Sequence, residues 1–431
     1  MAKNTGNHLR ADVIYSIYVR NHTKEGTFLS VIPDLERIRS LGTDIIWLMP
    51  IHPIGVKGKK GNLGCPYANR DYRTVNPEYG TMEDFVALVD AIHDHGMKCI
   101  IDVVYNHTSP DSTLVREHPE FFYRKSDGSM GNHVGDWTDV VDLDYRCKEL
   151  WSYQIESLTM WAKIVDGFRC DVASFVPLEF WKRAREAVEQ VHPGCIWLAE
   201  TVHSSFAQFH RKNGLYCAND YDMFTVFDME YDYDIREVFD RYLKGECRLS
   251  NYIDALNFQE YMYPANYNKM RCLENHDQPR ICSFVKDEAS LENFTAFLYF
   301  LKGTTLLYAG QEYKNDHVPS LFDKDLILRE EEKNISSMLR KMYDMKKNLL
   351  SCEDYFFGMA DDEQDIAVLE RDDGMTRKVG VFSLKGKVGA VKVNFPDGNY
   401  VNCLSGRTVS VRDGIFCCTG EPVVLAADSN N

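Results

Sequence analysis

Short, nearly unbroken apolar runs alternate along this chain with longer stretches in which apolar residues recur every three or four positions. The runs Val13–Val19, Asp44–Leu48, Lys98–Val104 and Val165–Asp171 read as strands, as do Cys195–Glu200, Met223–Phe227, Lys269–Leu273 and Thr305–Ala309. They are rich in Val, Ile and Phe, as strands buried on both faces should be. Phe28–Leu41, Phe85–His95, Lys148–Ala162 and Leu178–Val191 carry the helical period. Alternating strands and helices predict a parallel sheet with helical crossovers, and eight such strands predict a closed (β/α)8 TIM barrel. After Leu350 the period shortens to two, with Asp-Gly and Gly turns, so 350–431 reads as a C-terminal antiparallel β-sandwich. Thr108–Val141 is polar and turn-rich. A loop this long (108–141) inside a compact domain is either functional or misassigned, and it leaves 1–107 and 142–349 for the barrel.

Composition narrows the function classes. At 431 residues there is room for one large barrel and a smaller module. A net charge of −16 disfavours nucleic acid and anionic membranes as partners and suits a neutral, polar substrate. The N-terminal run Met-Ala-Lys-Asn-Thr-Gly-Asn-His-Leu-Arg lacks the apolar core of a signal peptide, and no run of 18 apolar residues suggests a membrane span. The 13 cysteines are odd in number, without Cys-x-x-Cys spacing, and several, such as Cys99, Cys170, Cys195 and Cys272, fall inside strand runs. That is the pattern of reduced, buried thiols, and it predicts a cytoplasmic protein.

Three acids stand at the ends of apolar runs: Asp171, Glu200 and Asp277. Each alone reads as a strand-end or capping carboxylate. Together, at the C-terminal tips of barrel strands, they would repel and perturb each other in the place where such barrels build active sites. Glycosidic cleavage rewards that grouping, because it needs a nucleophile, an acid/base and a stabiliser for a cationic sugar. Arg169 lies two residues before Asp171, on the same strand face. Asn106-His107 and His276 offer neutral groups for sugar hydroxyls.

Four motifs in order, Asp-Val-Val-Tyr-Asn-His (102–107), Gly-Phe-Arg-Cys-Asp (167–171), Leu-Ala-Glu-Thr (198–201) and Leu-Glu-Asn-His-Asp (273–277), resemble those of the α-amylase family of glycoside hydrolases, family 13. Val-Asp-Leu-Asp (141–144) and Tyr-Ala-Gly-Gln-Glu (308–312) resemble two further family motifs, and the resemblance implies that 108–141 is a short inserted domain after the third strand. The resemblance implies a retaining glycosidase with Asp171 as nucleophile, Glu200 as acid/base and Asp277 as transition-state stabiliser. It also implies that Arg169 keeps Asp171 ionised, that His107 and His276 hold sugar hydroxyls, and that Tyr67 is an aromatic platform beneath the sugar. These four are the expected substrate-binding residues. No cofactor is required in this reading. Many family members hold a calcium beside the insert, where Asn106 matches one ligand, but six or more oxygens are needed and the insert is short.

The expected substrate is an α-glucan oligosaccharide, cleaved at α-1,4 links of maltodextrins. Ser174-Phe175 replaces a Lys-His pair common in the family, and Val172 follows the nucleophile. An α-1,6-glucosidase, and a transglycosylase or sucrose-type phosphorylase, therefore stay open as alternatives. A non-catalytic protein-binding relative is a remote one, because all three acids stand. Oligomeric state is left open.

Overall fold

The computed structural model describes residues 5–429. Residues 1–4, part of the stretch read as lacking a signal peptide, lie outside the described residues. Eight parallel strands close into a barrel: β1 Val13–Ile17, β2 Ile45–Leu48, β3 Lys98–Val103, β4 Gly167–Cys170, β5 Ile196–Ala199, β6 Met229–Tyr231, β7 Lys269–Arg271 and β8 Thr304–Tyr308. Sequence neighbours pair throughout, and β8 closes onto β1. Every residue of β1, β2, β4, β5 and β8 is buried, which explains runs that are apolar throughout rather than alternating. Gly167 opens β4 because its neighbour strand leaves no room for a side chain: a Cβ there would lie 2.3 Å from the Ile196 carbonyl oxygen.

The helices include α1 Met82–Asp94, α2 Lys148–Trp161, α3 Leu178–Glu189, α4 Glu288–Phe300 and α5 Ser336–Asn348. Helix α1 starts three residues before the expected Phe85, because Thr81 and Asp84 form a reciprocal capping box. Phe28–Leu41, expected as one helix, is instead two short helices, Phe28–Val31 and Leu35–Ser40, parted by a 3-10 turn at Pro33. Proline has no N–H to donate to a continuing helix. The sixth strand is also displaced. Met223–Phe227 is not a strand, because the Asn219 side chain accepts the Asp222 N–H and caps a helical turn over Asp220–Met223. Met223 and Phe227 are buried as expected, but the ladder begins at Met229.

Between β3 and β4, His107–Thr108 pairs antiparallel with Val141–Asp142, closing a loop that contains the helix Thr113–Glu117. The C-terminal region forms two antiparallel sheets. In the first, β9 Tyr355–Asp361, β10 Ile366–Asp372, β11 Thr376–Ser383 and β16 Val423–Asp428 lie side by side. In the second, β12 Gly389–Lys392 pairs with β15 Ile415–Cys418, followed by β14 Thr408–Arg412 and β13 Gly398–Val401. Ile366, Val368, Val379 and Val381 meet Val391, Val411 and Phe416 between the sheets. Phe382 lies against Phe297 and Phe300 of α4, joining the first sheet to the barrel. Among the described residues, no helix is long and apolar enough to cross a membrane.

Candidate active site

The carboxyl ends of the barrel strands surround a cavity of about 350 Å³, lined among others by Tyr67, His107, Asp171, Glu200, His276 and Asp277. Asp171 and Glu200 each follow the last ladder residue of their strand, β4 and β5. Asp277 does not sit at a strand tip. Strand β7 ends at Arg271, and Asp277 belongs to the loop beyond it, where its N–H donates to the Asn275 side chain. That loop is pinned from below: Glu274, fully buried, pairs with Arg280 at 2.6 Å and accepts the Ile281 N–H, while Arg280 also donates to the Ala309 carbonyl.

Arg169 organises the floor. It is fully buried, so the expectation that it binds substrate is corrected: it lies behind the carboxylates and does not line the cavity. Its Nη1 donates to Asp102 Oδ1 and to Asp171 Oδ1, both at 2.9 Å, and its Nη2 lies 2.9 Å from Glu200 Oε2. The rings of Trp47, Tyr67 and Tyr231 surround the guanidinium at 5.2–5.6 Å. One cation thus serves three acids. Burial pushes Asp171 and Glu200 above the ordinary carboxyl range; Arg169 opposes this, and repulsion among the acids adds to it. Asp277 differs, being exposed: although desolvation opposes it, His276 and then Arg169 hold its carboxyl below the usual value.

Tyr67 donates from its hydroxyl to Asp102 Oδ2 at 3.0 Å and shares a 2.7 Å hydrogen bond with His276 Nε2. The two rings stack at 5.4 Å, 9° from parallel. His276 Nε2 also stands 3.0 Å from Asp277 Oδ2. Asn106 donates its amide N–H to His107 Nδ1, which leaves the ring proton on Nε2, 3.9 Å from Asp171 Oδ2. Burial lowers the His107 pKa, keeping the ring neutral. Val172, next to Asp171, is left-handed at φ 34°, an outlier for a β-branched residue. That turn aims its N–H at Glu200 Oε2, 2.8 Å away.

The catalytic-domain model of the alpha-amylase family matches residues 13–129 and 132–354, and the bacterial alpha-amylase C-terminal domain model matches 358–425. The chain belongs to the alpha-amylase family. A crystal structure of an alpha-amylase from Lactobacillus plantarum superposes with a TM-score of 0.93 at 42% identity, covering 98% of this chain and 100% of that one. A maltogenic alpha-amylase, AmyB, from Thermotoga neapolitana superposes at 0.86 with 33% identity, covering 97% and 99%. The alpha-amylase MalA of Haloarcula japonica is 29% identical over 70% of this chain, which spans only 44% of MalA's length. An alpha-1,4-glucan:maltose-1-phosphate maltosyltransferase from Rhodospirillum rubrum is 35% identical over 41% of this chain and 28% of its own. This alpha-amylase family member is an enzyme acting on O-glycosyl bonds.

Beside the insert, where many family members hold a calcium, Asn106 donates its side-chain N–H to His107 and accepts the Leu143 N–H on its main-chain carbonyl, while Asp142 Oδ2 takes the ring and N–H of His133 at 2.6 and 2.8 Å. Among the described residues no cluster of His, Cys, Asp or Glu is arranged for a metal. Sequence reasoning passed over Asp102, although it opens a motif already noticed, because a buried acid inside an apolar strand leaves no gap in the pattern. It also missed Lys60, Trp137, Asp139, His203 and Gln278, which line the cavity from loops, and Phe206, which lines it from the helix Ser204–Lys212.

Proposed function

We propose that this enzyme hydrolyses α-1,4-glucosidic bonds of maltodextrins with retention, through a covalent glycosyl-enzyme intermediate. The observation that carries the reading is the shared guanidinium: Asp171 and Glu200 each lie 2.9 Å from a nitrogen of Arg169. Two acids on one guanidinium suit the close pairing of retaining enzymes, about 5–5.5 Å, better than the wider gap that admits an inverting water. Asp171, directly hydrogen-bonded to the cation, supplies the carboxylate that attacks the anomeric carbon. Glu200, raised by burial, holds the proton that goes to the leaving oxygen, and then takes one from the incoming water. Asp277 and His276 grip hydroxyls of the distorted sugar, over the ring of Tyr67. His107 Nε2–H hydrogen-bonds the same sugar beside the nucleophile.

Product chromatography on maltoheptaose, isomaltose, pullulan and sucrose tests the reading. Maltodextrin products without turnover of isomaltose or sucrose support it; sucrose or isomaltose as the preferred substrate overturns it. Asp171→Asn should lower kcat by at least about 10⁴-fold, in the range found when a catalytic nucleophile is removed. A loss within tenfold would remove Asp171 from its role. Glu200→Gln should spare an activated aryl glycoside, whose leaving group needs no proton, far more than maltodextrin.

Glycosyl transfer is a second reading. The maltosyltransferase relatives favour it, as does the apolar surface of Val172, Val202, Phe206 and Trp137 on the Glu200 side, which suits an acceptor sugar better than water. Adding maltose or phosphate and finding longer chains or sugar phosphates would select it. A reducing compartment also suits this chain: all 13 cysteines are free, and those of the barrel strands are buried. Thiol titration of freshly purified, denatured protein should count close to all of them.

A further inference from the structure

Three loops meet at the end of the cavity away from Glu200. In an eight-stranded barrel β1 stands opposite β5, whose tip carries Glu200, and β2 and β8 flank β1. The loops after β2 and β8 are tied together: Leu63 N–H donates to the Phe322 carbonyl at 3.0 Å, and the Asn62 N–H and side-chain amide donate to Asp323 Oδ1 at 2.9 and 2.8 Å. Arg20, fully buried just beyond β1, donates to the Gly64 and Leu321 carbonyls, each at 3.1 Å. Lys60 stands over the Phe322 ring at 6.0 Å. Its Nζ lies 3.1 Å from Asp139 Oδ1, which arrives on the loop between β3 and β4. That loop spans the mouth, since Trp137 packs between His107 and Phe206 at 5.1 and 6.2 Å.

Asp139 carries the second observation. It is 3% exposed yet lines the cavity, so its ion pair with Lys60 is a closed part of the wall rather than a solvated surface contact. Resting on Asp171 and Glu200 in the roles just proposed, we infer that Lys60, Asp139 and Phe322 wall off the glycone end of the cleft, so that a chain cannot run on past the terminal sugar. The leaving chain exits past Glu200, so the walled side holds the non-reducing end. Cleavage is then measured from that end, releasing a short product of fixed length rather than striking internal bonds.

The experiment compares two aryl maltoheptaosides, one with a free non-reducing end and one whose terminal 4- and 6-hydroxyls are blocked by an ethylidene group. The wild-type enzyme should cleave the free substrate with a kcat/KM at least about a hundredfold higher, the scale of a blocking group clashing with a closed wall. Lys60→Ala and Asp139→Ala should each cut that ratio by about tenfold or more, by opening the wall. The Lys60 side chain is 35% exposed, so its variant can be judged even if the Asp139 variant fails to fold. Comparable wild-type rates on both substrates, or an early ladder of all product lengths from maltoheptaose, overturn the inference alone. No turnover of either substrate overturns the hydrolase reading, and this inference with it.

Discussion

At the scale of single residues, the site turns on a shortage of positive charge. Asp102, Asp171 and Glu200 share Arg169, and all three are buried. Burial raises Asp171 most, Arg169 lowers it, and the charge of Asp102 raises it again. Removing that charge should therefore let Asp171 ionise at lower pH. Asp102→Asn should move the acidic limb of the kcat/KM profile to lower pH, because the limb reports a carboxylate that must be ionised in the free enzyme. A limb that stays in place, or moves up, would mean that Asp102 only holds Arg169 in position. The motif acids were legible because each ends an apolar run. Their pKa behaviour was not, because nothing in the sequence shows how many acids one arginine must serve.

At the scale of elements, the barrel could be read from its buried runs, and the misreadings have local causes. Met223–Phe227 has a strand's composition, yet the Asn219 cap turns its start into a helix. Pro33 divides what the apolar period joins. Loops carrying Lys60 and Asp139 have no period at all, so their meeting was invisible. Helix α5 holds a further feature that its sequence hides. Lys346, 2% exposed, donates to the Gly303 carbonyl at 2.7 Å just before β8, and burial pushes its amine down to about 7. The unfolded lysine titrates near 10.4. Between those values the unfolded chain binds the extra proton, so this group makes stability rise with pH across the window, by up to about 1.4 kcal/mol per unit. Urea midpoints of wild type and Lys346→Met at pH 7 and pH 9 should diverge, with wild type gaining relative to the variant at pH 9. Parallel pH dependences would show that the amine stays charged.

At the scale of the whole molecule, barrel and C-terminal sheets share a core rather than touching at a surface. Phe382, fully buried, packs on Phe297 and Phe300 at 5.7 and 5.6 Å. Beside it the buried Arg371 donates to the Phe300 and Ser351 carbonyls and to Asp354, which also pairs with Lys378. Asn293 of α4 accepts the Ser383 N–H and donates to the Gly420 carbonyl. Such a seam is apolar and polar at once, and parting it would leave several buried groups unpaired. The sheets carry no residue that lines the active cavity, but the barrel should depend on them to stay folded. Phe382→Ala should destabilise by about 3–5 kcal/mol, the range for emptying a buried aromatic site. Because the seam belongs to one core, the loss should lower the urea midpoint for activity and for far-UV circular dichroism together. If activity instead outlives a first structural transition, the sheets unfold independently, and the barrel's stability must be sought within its own eight strands.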